Sequence, residues 1–123
     1  MYCLFGIVIF IMGMYTQFII ECKFKPETPC EIIECLQDMV NDVVNESFIY
    51  DRNPLNNYCQ TNEYPKSFDD LILKAHGDIK NYWGDINRFA DFVKPYVEVG
   101  FLEGGAFAKS SYEGAGEWSY YCA

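Results

Sequence analysis

The chain contains one histidine, His76, in 123 residues, and nothing in the sequence pairs it with a nucleophile. The catalytic inventory is therefore thin. A Ser, His and acid arrangement assembles in space rather than along the chain, so a small hydrolase using His76 stays as the single enzymatic alternative. Basic side chains are also scarce, with 9 Lys and Arg against 18 Asp and Glu and a formal net charge of −9. Phosphate binding needs clustered cations, which makes nucleic acid and bare anionic membranes poor partners at neutral pH. No two cysteines stand at the two-residue spacing of zinc knuckles and thioredoxin-like redox motifs. The glycines at 104, 105, 114 and 116 fit neither phosphate-loop pattern. Asp51 and Asn53 lack the glycine and terminal glutamate of a calcium loop, and Asp78, Asp85 and Asp91 read as a solvated helix face. Neither a metal nor a cofactor is expected.

Charge is missing altogether between Cys3 and Ile20, where only Thr16 and Gln17 interrupt an apolar run. Such a run is a membrane-targeting segment. A signal peptide spanning residues 1–22, cut after Cys22, leaves a single domain at 23–123; cuts after Gly13 or Thr16 are alternatives. A retained single-pass helix is the other reading, because about 18 apolar residues just reach the bilayer minimum. Removing Glu21 with the leader brings the net charge near −8. It also leaves Cys30, Cys35, Cys59 and Cys122, an even set that suits two disulfides in a secreted chain. A cut that retained Cys22 would add an odd thiol, free or bridging two copies.

Thr28, Pro29 and Glu31 have the spacing of a capping box with proline at the first helical position. The expected helix carries Ile32, Ile33, Leu36, Met39, Val40, Val43 and Val44 on one face and ends near Asn45. At about 100° per residue, Cys30 and Cys35 lie roughly 140° apart, so they act as anchors to distant segments rather than as a pair. Asn45, Glu46 and Ser47 form an N-glycosylation sequon at the helix end.

A second helical region is expected from Ser67, with Asp69 and Asp70 in its first turn, running to Pro95 through two weak points, Gly77 and Gly84. Tyr82, Trp83, Phe89, Phe92 and Tyr96 widen its apolar arc, which serves either as core or as a surface for lipid or a partner. Beyond Pro95 the chain is rich in glycine and aromatics without a period. Short strands and an irregular coil tied down by Cys122 both fit.

A capped helix with early cysteines, a sequon, Cys59 followed by Tyr64 and Pro65, then Tyr82 and Gly84 leading to "VKPYVEVGFLEGG", resembles the order of saposin-like domains across residues 30 to about 105. The resemblance implies an all-α, disulfide-stapled, lipid-binding fold. Cysteine is missing at Val99 and Gly105, where the family would place its last two. Cys122 would substitute, giving bridges Cys30–Cys122 and Cys35–Cys59. The expected protein is thus a secreted, non-enzymatic binding protein, extracellular or in a lysosomal or vesicular lumen. Its partner is a lipid, an apolar ligand or another extracellular protein, with membrane contact favoured at about pH 4 to 5 as carboxylates protonate. A purely structural or protein-interaction module is the remaining alternative.

Overall fold

The computed structural model describes residues 15–58, 65–112 and 116–123. Among these, the elements are strand β1 (Thr16–Phe24), helix α1 (Cys30–Val40), β2 (Ser67–Asp69), β3 (Ile72–Ile79), helix α2 (Asp85–Val93), β4 (Val97–Gly100), β5 (Ala108–Tyr112) and β6 (Ser119–Tyr121). The strands form one antiparallel sheet in the order β2-β3-β1-β5-β6, with β4 pairing the C-terminal end of β1 on the β5 side. Helices lie on one face of it. The architecture is therefore α+β, and it replaces the all-α, saposin-like expectation.

The apolar run near the N-terminus explains the difference. Thr16, Phe18, Ile20, Cys22 and Phe24 are buried while Gln17, Ile19, Glu21 and Lys23 point the other way, a strict period of two. β1 is the central strand, bonded to β3 along Thr16–Lys23 and to β5 and β4 on its other side. A chain cut after Cys22 would lose most of that strand, whereas a cut after Gly13 leaves it whole; residues 1–14 lie outside the described residues. Among the described residues no helix is long and apolar enough to cross a membrane.

The first half of the second expected helix, up to Ile79, is strand, and only Asp85–Val93 is helical. Leu71, Ile72, Ala75 and Ile79 satisfy a helical period, but Leu73, Ala75, Gly77 and Ile79 satisfy a strand period equally well, and these four are buried on the core face. The strand wins because Asp70 (φ 53°) and Leu71 (φ 66°) both turn left-handed, closing a two-residue hairpin with Asp69 opposite Ile72. Asp69 thus ends β2 and Asp70 begins the turn, in place of the expected helical first turn. Gly77 is required here by packing rather than by backbone angle, since a Cβ would run into the Pro54 carbonyl oxygen. That close approach lets Asn56 and Tyr58 exchange backbone hydrogen bonds with Asp78 at 2.9 and 3.0 Å.

α1 keeps the expected register but is shorter. Ile32, Leu36 and Met39 are buried, and the helix stops at Val40 because Asp42 turns left-handed (φ 61°), leaving Val43 and Val44 exposed. Thr28 does not cap it; the hydroxyl donates back to the Lys25 carbonyl at 2.6 Å. α2 inserts Ile86, Phe89, Ala90 and Val93 into the core, where Phe89 meets Phe18 edge-on at 6.1 Å and Phe48 at 5.5 Å. Full burial of Ile86, Phe89 or Val93 is worth about 1.5–3 kcal/mol each.

No disulfide joins the described cysteines. Cys22, Cys30, Cys35 and Cys122 are free thiols, which overturns the Cys30–Cys122 bridge and leaves Cys35 unbridged; Cys59 lies outside the described residues. Cys22 is fully buried on the core face of β1, out of reach of a second copy. The C-terminal stretch forms strands, with Cys122 exposed just after β6.

Candidate functional site

Three large exposed apolar side chains, Ile49, Tyr82 and Trp83, stand where two loops meet the start of α2. The turn between β3 and α2, residues 80–84, is rich in turn formers, and its geometry is over-determined. Asn81 Oδ1 accepts the Ile86 N–H at 3.1 Å, capping the helix, and Gly84 takes a left-handed conformation (φ 70°) that other residues adopt only with strain. Tyr82 and Trp83 are thereby turned outward, with Trp83 70% exposed and Tyr82 52% exposed.

The facing wall comes from the loop after α1. Asn53, buried, donates to the Met39 carbonyl at 2.8 Å and accepts the Leu55 N–H at 3.0 Å, fixing the loop to the end of α1. Asp85 fixes it to α2. Its carboxylate is only 1% exposed and accepts the backbone N–H of Asp51 (3.2 Å) and Arg52 (2.9 Å) and the Arg88 guanidinium (2.7 Å). Arg88 also donates to the Ile49 carbonyl and lies 5.0 Å from the centre of the Phe48 ring. Arg52 bonds Asp51 and stacks 5.4 Å above the Tyr82 ring.

Together these groups frame an open groove of about 500 Å³ lined by Ile49, Tyr50, Asp51, Trp83, Asp85 and Arg88. Its apolar walls are presented to solvent, with Ile49 59% exposed. Its charges are matched in two Asp–Arg pairs. The site can accept an apolar side chain between Ile49 and Trp83 and offer polar contacts at its edges.

The sequence-expected surface divides across this region. Tyr82 and Trp83 reach solvent; Phe89 is fully buried; Phe92 and Tyr96 are half-buried against the core, Phe92 stacked 5.0 Å from Phe48. The composition around Trp83, Asn81 and Gly84 before an acidic first turn, carries a loop-then-helix signal. No local signal reveals Ile49 or the Asp85 and Arg88 clamp, because their partners lie more than thirty residues away.

His76 sits on β3, not on a helix, opposite Ile19 on the sheet face away from the helices. Burial and the nearby Lys109 charge lower its pKa, against the pull of Asp78 and Glu21. A second recess, about 390 Å³, lies between Asp42, Asn56, Tyr58 and Lys66. Its polar groups serve one another: Asp42 Oδ1 accepts from Lys66 and Asn56 at 2.8 Å each, and Lys66 also bonds Asn56. Burial alone would raise the Asp42 carboxyl, but these bonds and the Lys66 charge outweigh it and hold it low. Asn45 of the sequon is half-buried, donating to Asp38 at 2.8 Å and accepting the Ser47 N–H at 2.8 Å. Among the described residues no group of His, Cys, Asp and Glu has the arrangement of a metal site. No family model, curated protein or solved structure matches this chain.

Proposed function

We propose that this protein is a non-enzymatic binding module that docks another protein through the groove between Ile49 and Trp83. One observation carries the reading: a tryptophan that is 70% exposed stands beside an isoleucine that is 59% exposed, on loops locked by the buried Asp85. The backbone hydrogen bonds of Asp51 and Arg52 to Asp85 fix the loop that presents Ile49. An exposed aromatic and aliphatic pair over a recess has the composition of interface hot spots, and the loops that carry it are already ordered before binding.

The test uses random peptides displayed on phage and selected against the folded chain, with binding mapped by the amide and indole signals of the protein. Selected peptides are expected to carry an aromatic or aliphatic anchor, to shift the Trp83 indole signal, and to lose affinity by tenfold or more, about 1.4 kcal/mol, against Trp83→Ala. Peptides that bind Trp83→Ala as well as the native chain would sink the proposal.

A further inference from the structure

The groove is electrically balanced, but the stretch of chain before it, α1 and the loop that follows, is not. Glu27, Glu31, Glu34, Asp38, Asp42 and Glu46 follow one another with no Lys or Arg between Lys25 and Arg52. Asp42 is matched by Lys66; Glu27, Glu31, Glu34, Asp38 and Glu46 have no salt bridge among the described residues. Glu31 and Glu34 are exposed one turn apart on α1, and Glu46 is exposed three residues before Ile49. The hydrogen bond from Asn45 to Asp38 ties the loop bearing Glu46 and Ile49 to the last turns of α1. On α2, Asp91 adds a further exposed carboxylate one turn beyond Arg88. The segment that carries Ile49 to the groove thus brings uncompensated negative charge with it, beside a recess whose own charges are paired.

Building on the docking reading above, we infer that the partner of this groove is a basic protein segment: an apolar anchor side chain flanked by lysine or arginine. The anchor enters between Ile49 and Trp83, where burial of apolar area supplies affinity. The flanking cations lie along the acidic loop and α1, where they raise the encounter rate and set specificity. An acidic partner with the same anchor is repelled by those carboxylates and by the net charge of −9.

Two synthetic peptides test this, each with one central tryptophan, one with lysine-rich flanks and the other with glutamate-rich flanks. Binding to the full chain is measured by calorimetry at low and at physiological salt. The lysine-flanked peptide is expected to bind roughly tenfold or more tightly, with the gap shrinking as added salt shortens the screening length below about 10 Å. The charge-reversed protein Glu31→Lys with Glu34→Lys alters exposed α1 positions outside the groove, and it should weaken the lysine-flanked peptide while its circular dichroism stays native. Equal, salt-independent affinities for the two peptides would overturn the inference and leave the docking groove standing. Binding of neither peptide would overturn the groove and the inference together.

Discussion

The two tryptophans of this chain occupy opposite situations. Trp118 lies in the segment leading into β6, and the ammonium of Lys109 sits 4.6 Å from its ring centre while also reaching Tyr120 at 5.9 Å and Glu103 at 3.5 Å. Its aromatic face is already used by the chain itself, and it is only 36% exposed. Trp83 has the same chemistry and twice the exposure, and the residues around it, Arg52 and Arg88, are committed to Asp51, Asp85, Tyr82 and Phe48 rather than to its ring. An exposed aromatic residue therefore means little by itself. What separates the two is whether the fold has already supplied the partner.

Four changes would break or sharpen that contrast, and the largest does so by removing the scaffold on which both tryptophans stand. A chain beginning at Lys23 lacks Thr16–Cys22, and with it most of the central strand, all of its pairing with β5 and all but the Lys23–Ile72 pair with β3. It is expected to show no cooperative thermal transition, while a chain beginning at Met14 melts normally. Next, Phe89→Ala empties a fully buried site against Phe18 and Phe48 and should cost about 3–5 kcal/mol in denaturant unfolding. Asp85→Ala frees two backbone N–H groups and half-exposed Arg88, so a smaller loss of about 2 kcal/mol is expected. That variant should also weaken peptide binding, because the Ile49 wall loses its tether. Trp83→Ala is the smallest in stability, within about 0.5 kcal/mol, although it removes the proposed anchor site. A large destabilisation by Trp83→Ala would mean that the ring, like that of Trp118, serves the fold.

The cysteines divide in the same way, into used and available. Burial pushes the Cys22 thiol up to about 12, and burial together with the Asp38 charge pushes Cys35 up to about 11. In the unfolded chain both would ionise near the ordinary value of 9.0, so the folded state loses stability as pH climbs from there towards those values. Alkylation at about pH 8 should modify Cys30 and Cys122 in the native protein and reach Cys22 and Cys35 only in denaturant. Equal labelling of Cys22 and Cys122 in the native protein would contradict the burial of β1.

The helix at residues 30–40 was legible because Ile32, Leu36 and Met39 fit only one period, and Tyr82 and Trp83 were legible as conspicuous apolar residues near a glycine. The sheet was hidden for a specific reason. In "TQFIIECKF" the outward Ile19 masks the alternation and makes a strand look like a continuous apolar run. In "ILKAHGDI" the small buried residues Ala75 and Gly77 give the inner face too little hydrophobicity to declare itself. Both segments need their partners to be recognised. The cysteine count pointed towards bridges only because the sequence does not disclose that Cys22 and Cys35 fill apolar positions, as any small hydrophobic residue could. The groove was out of reach for a similar reason, since Asp85 joins residues 51 and 52 across the chain.

The position of β1 also sets a timetable for synthesis. Ile20 pairs with Ala75 on one side and with Ala108 on the other, so β1, once made, must wait for partners synthesised 55 and 88 residues later. Contacts this distant in sequence place folding at the slow end for a small domain, on the scale of milliseconds to seconds. During that delay Phe18, Ile20 and Phe24 stand unpaired in the nascent chain, and the same alternation that makes β1 the keystone of the sheet makes it the segment most in need of a chaperone.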